Sequence, residues 1–207
     1  GYFDAPGPLL DELETIATAS GIYVTLNLVK PAHLARAANR LRRPGKDAAT
    51  SDPQIEARRL LLVDIDAARP AGISSTDAEH EAALDRARTI RGWLAARGWP
   101  EPILADSGNG AHLLYLIGLP NDDAATAACR RLLQALAALF SDPPDRVKAA
   151  KAGDALDPPP VDVDTSVFNA SRIFRLPGTR AAKGDHTPDR PHRLARINAN
   201  GHGQHAV

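Results

Sequence analysis

Leu60-Leu-Leu-Val-Asp64-Ile-Asp66 is the stretch on which the reading of this chain turns. An apolar run broken only by its last two acids reads as a strand covered on both faces. Side chains alternate along a strand, so Asp64 and Asp66 point the same way. Two carboxylates converging at a strand end repel each other unless a cation joins them. A hard divalent ion such as Mg²⁺ prefers that all-oxygen environment and fills its other positions with water or phosphate. The plain alternative is that both acids cap the strand in solvent.

Outward from that strand, helical and extended patterns alternate. Thr76-Asp-Ala-Glu79 is a capping box, and Ala83, Ala87, Ile90 and Leu94 follow at helical spacing, predicting a helix that stops near Gly98. Ile103 to Asp106 and His112 to Ile117 read as strands joined by a glycine turn. Asn121 is expected to cap a second helix to Phe140, with Ala125, Cys129, Leu132, Leu136 and Leu139 inward. On the N-terminal side, Leu9 to Ala19 reads as a helix and Ile22 to Leu28 as a strand. Residues 141–160, rich in proline, read as an exposed connection. Val161 to Asp164, Arg172 to Leu176 and His192 to Ile197 are short strand candidates. The class is α/β or α+β with one mixed central sheet. Residues 1–198 are expected to form one domain, and 199–207 a disordered tail.

Two further segments carry chemistry. In Asp106-Ser-Gly-Asn-Gly-Ala-His112, Gly108 and Gly110 permit close backbone approach, so their N–H groups can line an anion-binding concavity beside the Ser107 hydroxyl and His112. That arrangement suits a triphosphate, whereas a glycine hairpin followed by a core histidine is the unspecialised reading. Strand rather than helix follows the glycines, which excludes a dinucleotide fingerprint. In Val161-Asp-Val-Asp164, alternation puts Asp162 and Asp164 on one face. Arg172-Ile-Phe-Arg175-Leu-Pro-Gly-Thr179 and Lys183-Gly follow, supplying fixed donors for phosphate oxygens. Arg175 lies on the opposite strand face from Arg172.

The 207 residues carry 25 basic and 25 acidic side chains, which excludes a uniformly basic, histone-like binder. Charge is nevertheless segregated. Residues 30–60 hold eight basic against three acidic side chains, and residues 170–207 seven against two, each a balance of +5. Such segments could line a groove for a polyanion or be solvated surface. The lone Cys129 excludes an internal disulfide and fits a reducing, cytoplasmic compartment. No apolar run approaches a membrane span, and no signal-peptide pattern opens the chain. The absence of methionine reads as a domain excised from a larger protein.

Taken in order, Leu-Leu-Val-Asp64-Ile-Asp66, Ser107-Gly-Asn-Gly-Ala-His112, and Val-Asp164-Thr-Ser-Val with Ser-Arg172-Ile-Phe-Arg175-Leu-Pro-Gly-Thr resemble motifs I, II and III of the archaeo-eukaryotic primase superfamily. The nearest pattern is its primase-polymerase branch of phages, plasmids and CRISPR-associated proteins. The resemblance runs from about Ile22 to Ile197. It implies an α+β fold, an RRM-like mixed sheet as the catalytic core packed with a smaller αβ unit. It also implies Mg²⁺ or Mn²⁺ in a two-metal site on Asp64, Asp66 and Asp164, with Asp162 able to substitute or assist. His112 and Arg172 would meet the incoming nucleotide, alongside Ser107, Gly108, Gly110 and Lys183. The activity implied is template-dependent nucleotidyl transfer, a DNA primase or polymerase using NTP or dNTP on single-stranded or primed DNA, fused to or working with a helicase or other replication module. A metal-dependent nuclease, a nucleotide-sugar glycosyltransferase and a non-catalytic origin-binding module are the competing classes. The nuclease needs neither the glycine turn nor two arginines, and the origin binder would tolerate loss of Asp64 and Asp66. A relaxase lacks its His-x-His pair here.

Overall fold

The computed structural model describes residues 1–43, 45 and 49–198. The expected tail at 199–207 lies outside the described residues. Strand β1 (Tyr23–Thr25) follows helix α1 (Pro6–Glu14). The central chain then runs β2 (Ala57–Ala67), α2 (Asp77–Ala95), β3 (Ile103–Asp106), β4 (Gly110–Pro120), α3 (Asp123–Phe140), α4 (Pro144–Ala152) and β5 (Val161–Val163). Four short strands close it: β6 (Ile173–Arg175), β7 (Arg180–Ala181), β8 (Arg193–Leu194) and β9 (Arg196–Asn198).

The class is α+β. The main sheet has the order β5-β2-β4-β3-β9, while β1 pairs with β6 and β7 with β8. Its first four strands and two principal helices form a split β-α-β-β-α-β unit, with the strands in the spatial order fourth, first, third, second. Every strand pair is antiparallel, so the expectation of a mixed sheet is corrected. The tight turn after β3 folds β4 back between β2 and β3. The crossover through α2 therefore joins strands that are not neighbours, and no parallel pair arises.

One sheet face meets α2 and α3. Val63, Ile65, Ala67, Ala111, Leu113, Val161 and Val163 lie there, packed against Ala83, Ala87, Ile90 and Leu94 of α2 and Cys129, Leu133 and Leu136 of α3. All four apolar positions expected on α2 are buried, and Thr76 closes its capping box with Glu79. On α3 the stripe is Ala125, Cys129, Leu133 and Leu136. Leu132 is only partly buried, and Leu139 is 58% exposed. The α3 cap is Asp122, whose carboxylate accepts from the Ala125 N–H. Asn121 instead donates to the Asp52 and Ile55 carbonyls.

Other expectations shift for local reasons. The first helix starts at Pro6, where a fixed φ suits the first turn, and ends before Thr15, whose hydroxyl donates to the Glu12 carbonyl. The strand expected to Leu28 stops at Thr25, because the buried Asn27 side chain accepts from the Arg59 and Leu60 N–H groups and donates to the Ala170 carbonyl. Residues 141–160 contain a helix rather than a bare connection. Pro144 opens α4, Gly153 in the left-handed region (φ 114°) ends it, and Val147 and Ala150 are buried. No helix among the described residues is long and apolar enough to cross a membrane.

Candidate active site

The second face of the main sheet carries the acids. Asp64 pairs in register with His112, and Asp66 with both Gly110 and Asp162, so all of these share that face. A Cβ added at Gly110 would collide with the Asp66 carboxylate and the Ile65 carbonyl. Only glycine lets β4 pass so close to Asp66.

His112, 8% exposed at its side chain, places Nε2 3.5 Å from Asp64 Oδ1 and sets its ring edge-on to Phe174. Burial alone would raise the Asp64 carboxyl. The His112 ring and the charges of Lys183 and Arg172 override it and hold Asp64 below the usual carboxylate range. Burial opposes charge on His112 too, yet Asp64 and Asp66 together raise its affinity for a proton. Asp66 moves the other way. Its packed surroundings and the Asp64 carboxylate push it up, although its side chain keeps 45% of its surface in solvent and Arg69 Nη1 stands 3.6 Å from Oδ1.

Asp162 is engaged by Lys151 Nζ at 3.0 Å. Asp164 lies just beyond β5. Its N–H donates to the Asp64 carbonyl, and its Oδ1 accepts from the Ser166 N–H at 2.7 Å. Asp66, Asp162, Asp164, Lys148, Lys151 and Lys183 line one open cleft of about 740 Å³. Among the described residues, no three His, Cys, Asp or Glu side chains close on a common metal-holding point, so Asp64, Asp66 and Asp164 are near one another without forming a finished cage. The donor set still fits a hard divalent ion. Asp64 and Asp66 supply carboxylate oxygens on one face, and Mg²⁺ needs only one or two carboxylates when phosphates and water complete its shell.

At residues 107–110, where an anion-binding concavity is expected, the N–H groups bond within the turn. The Gly108 N–H donates to the Asp106 carboxylate at 2.6 Å, and the Gly110 N–H to Ser107 Oγ at 3.0 Å. Asp106 is held in turn by His80 Nε2 at 2.8 Å, and Ser107 and Asn109 are buried. Those donors are spent on the turn itself, which β7 and β8 also cover: a Cβ at Gly108 would meet Ala181 and the Arg193 carbonyl. The turn leads directly into Gly110 and His112 at the start of β4.

Arg172 donates from Nε to Asn169 Oδ1 and from Nη2 to the Ser166 carbonyl, which fixes it beside the segment carrying Asp164. Lys183 is held through its backbone, whose carbonyl accepts from Ser74 Oγ. Arg175 is buried, donating to the Tyr23 hydroxyl and stacking on its ring, and its charge works against a proton on His112. Sequence reasoning missed Arg69, Lys148 and Lys151. Arg69 carries a weak signal, three residues after Asp66. The α4 lysines carry none, because their helix was read as a connection.

No protein-family model matches the chain, and no curated protein matches it. Among solved structures, the polymerase domain of Mycobacterium tuberculosis Ligase D in complex with DNA is similar with a TM-score of 0.45 and 20% identity. The alignment covers 85% of this chain and 52% of that one, so the chain spans about half its length.

Proposed function

We propose that this chain is a template-dependent nucleotidyltransferase, of DNA primase or polymerase type, working on single-stranded or primed DNA. The observation that carries the reading is the shared face of Asp64, Asp66 and His112, with the positive charges of Lys183 and Arg172 acting on Asp64. Carboxylates alone would serve a nuclease equally well. A fixed arginine and a lysine whose charges both act on Asp64 suit a ligand that brings both a metal and a triphosphate.

Asp64 and Asp66, with Asp164 at the cleft edge, would hold Mg²⁺ or Mn²⁺, which when bound activates the acceptor hydroxyl and neutralises charge on the departing pyrophosphate. His112 orients the Asp64 carboxylate through its Nε2 contact and adds a donor beside it. Arg172 and Lys183 supply fixed and mobile positive charge for the triphosphate. Gly110 keeps the Asp66 side uncrowded, and Ser107 and Gly108 act through the turn. The protein contributes positioning and electrostatics rather than covalent chemistry. A helicase or other replication module acting with this chain belongs to the same proposal.

The test is extension of a labelled primer on a template, with NTP and dNTP run separately beside a no-primer reaction. Wild type should add nucleotides dictated by the template, and Asp64→Ala/Asp66→Ala should abolish addition while retaining a native thermal transition. Shortening of the labelled strand in place of growth would establish the nuclease instead.

A further inference from the structure

The cleft and the Asp64 flank are different places. His112 and Arg172 act on Asp64, and neither they nor Asp64 line the cleft, whose acids are Asp66, Asp162, Asp164 and Asp142, the last paired with Arg86. The two regions meet only along the row of acids, with Lys183 reaching both. In nucleotidyl transfer the acceptor oxygen bonds to the α-phosphorus, the bond to the bridging α–β oxygen breaks, and pyrophosphate leaves. The hydroxyl proton is released to solvent. Entering and leaving oxygens lie roughly in line on opposite sides of phosphorus. With a triphosphate on the Asp64 flank, the acceptor comes from the opposite side of phosphorus, and the cleft opens on the Asp66 side.

We infer that this cleft seats the sugar-phosphate backbone at the 3′ end of the acceptor strand, with Lys148 and Lys151 as its counter-charges; this rests on the transferase reading above. Helix α4 offers Pro144, Val147, Lys148 and Lys151 to the cleft, the spacing of a single helical face with lysines at its rim. Lys148 forms no ion pair among the described residues. Lys151 pairs with Asp162, but its side chain is 54% exposed, and an exposed pair is held weakly enough for a phosphate to recruit the lysine. A volume near 740 Å³ lies within the range of ligand-binding clefts. The lining contains no aromatic side chain, so the walls offer no surface for a base to stack on. Backbone phosphate is the part of the strand this chemistry recognises, without sequence preference.

The experiment measures steady-state extension and fluorescence anisotropy for wild type, Lys148→Glu and Lys148→Glu/Lys151→Gln. Titrations use a labelled primer–template, the bare template strand, and nucleotide. Charge reversal at Lys148 should raise KM for primer–template by about tenfold, the double variant should raise it further, and nucleotide KM should hold. Lys148→Arg should behave as wild type. A rise in nucleotide KM alone would make the cleft a triphosphate site and overturn the assignment. Equal loss of affinity for bare template and primer–template would place the template there and overturn it as well. An active enzyme whose constants do not move would remove the cleft from the reaction while leaving the transferase reading standing. A wild-type chain that extends no primer would refute that reading, and the assignment with it.

Discussion

Asp106 shows how a residue next to the chemistry can be wholly occupied with structure. Its carboxylate accepts from the Gly108 N–H and faces His80 Nε2, with side-chain exposures of only 16% and 13% for the pair. Burial alone would raise this carboxyl; the hydrogen bonds from His80 and Gly108 bring it below its ordinary 3.8. A carboxyl depressed on folding contributes stability above its unfolded value, and that contribution is lost as pH falls through the folded one. Asp106→Asn should therefore cost about 1–2 kcal/mol at neutral pH. In chemical denaturation followed by circular dichroism, the gap from wild type should close as pH is taken below 3.8. An unchanged gap in acid would mean that Asp106 contributes no charge-dependent stability. At this scale, much was legible in the sequence. Two-residue alternation gives the common direction of Asp64 and Asp66, whereas the opposition of His112 to Asp64 comes from the long-range pairing of β2 with β4, which no local pattern encodes. That the turn after β3 consumes its own N–H groups was not legible, because Asp106 and Ser107 can face either a ligand or the backbone, and packing chooses.

Elements are legible where apolar spacing and caps agree. Helix α2 has both, and its four expected core positions are buried. Its start is also stapled by long-range contacts that no local pattern encodes: Arg190 forks onto Glu79, and Arg193 reaches Ser75 and Asp77. Helix α4 escaped notice because its apolar positions are few and prolines flank it. The start of β2 depends on a buried arginine. Arg58, 3% exposed, donates at 2.7 Å to both the Phe168 carbonyl and Thr126 Oγ1, tying β2 to α3 and to the segment before β6. Among the described residues it forms no ion pair within 4 Å, and its contacts there are these hydrogen bonds, with its charge also acting on Asp52. Arg58→Met should lower unfolding free energy by about 2–4 kcal/mol, since both acceptors lose their donor. A urea midpoint within error of wild type would show that methionine packing replaces those bonds.

Across the whole molecule, segment charge was a poor guide to surface charge. Of the cations in residues 170–198, Arg175 is buried, Arg190 and Arg193 are tied to acids of α2, and Arg172 is held by carbonyl and amide oxygens. Spatial pairing across long separations is not readable from running balances. What the fold concentrates instead is opposition: a row of acids along one sheet face, with Arg172, Lys183, Arg69 and Lys151 around it. Such a row should bind a divalent ion weakly alone and more tightly once a triphosphate supplies further oxygens. The most direct measurement is a Mn²⁺ titration followed by the electron paramagnetic resonance of the free ion, with and without nucleotide. Wild type should deplete the free signal beyond what nucleotide alone does, and the nucleotide should tighten binding. Asp64→Asn/Asp66→Asn, folded by circular dichroism, should leave only the depletion due to nucleotide. Identical titrations of wild type and the double variant would contradict a metal-dependent nucleotidyl-transfer site on this face.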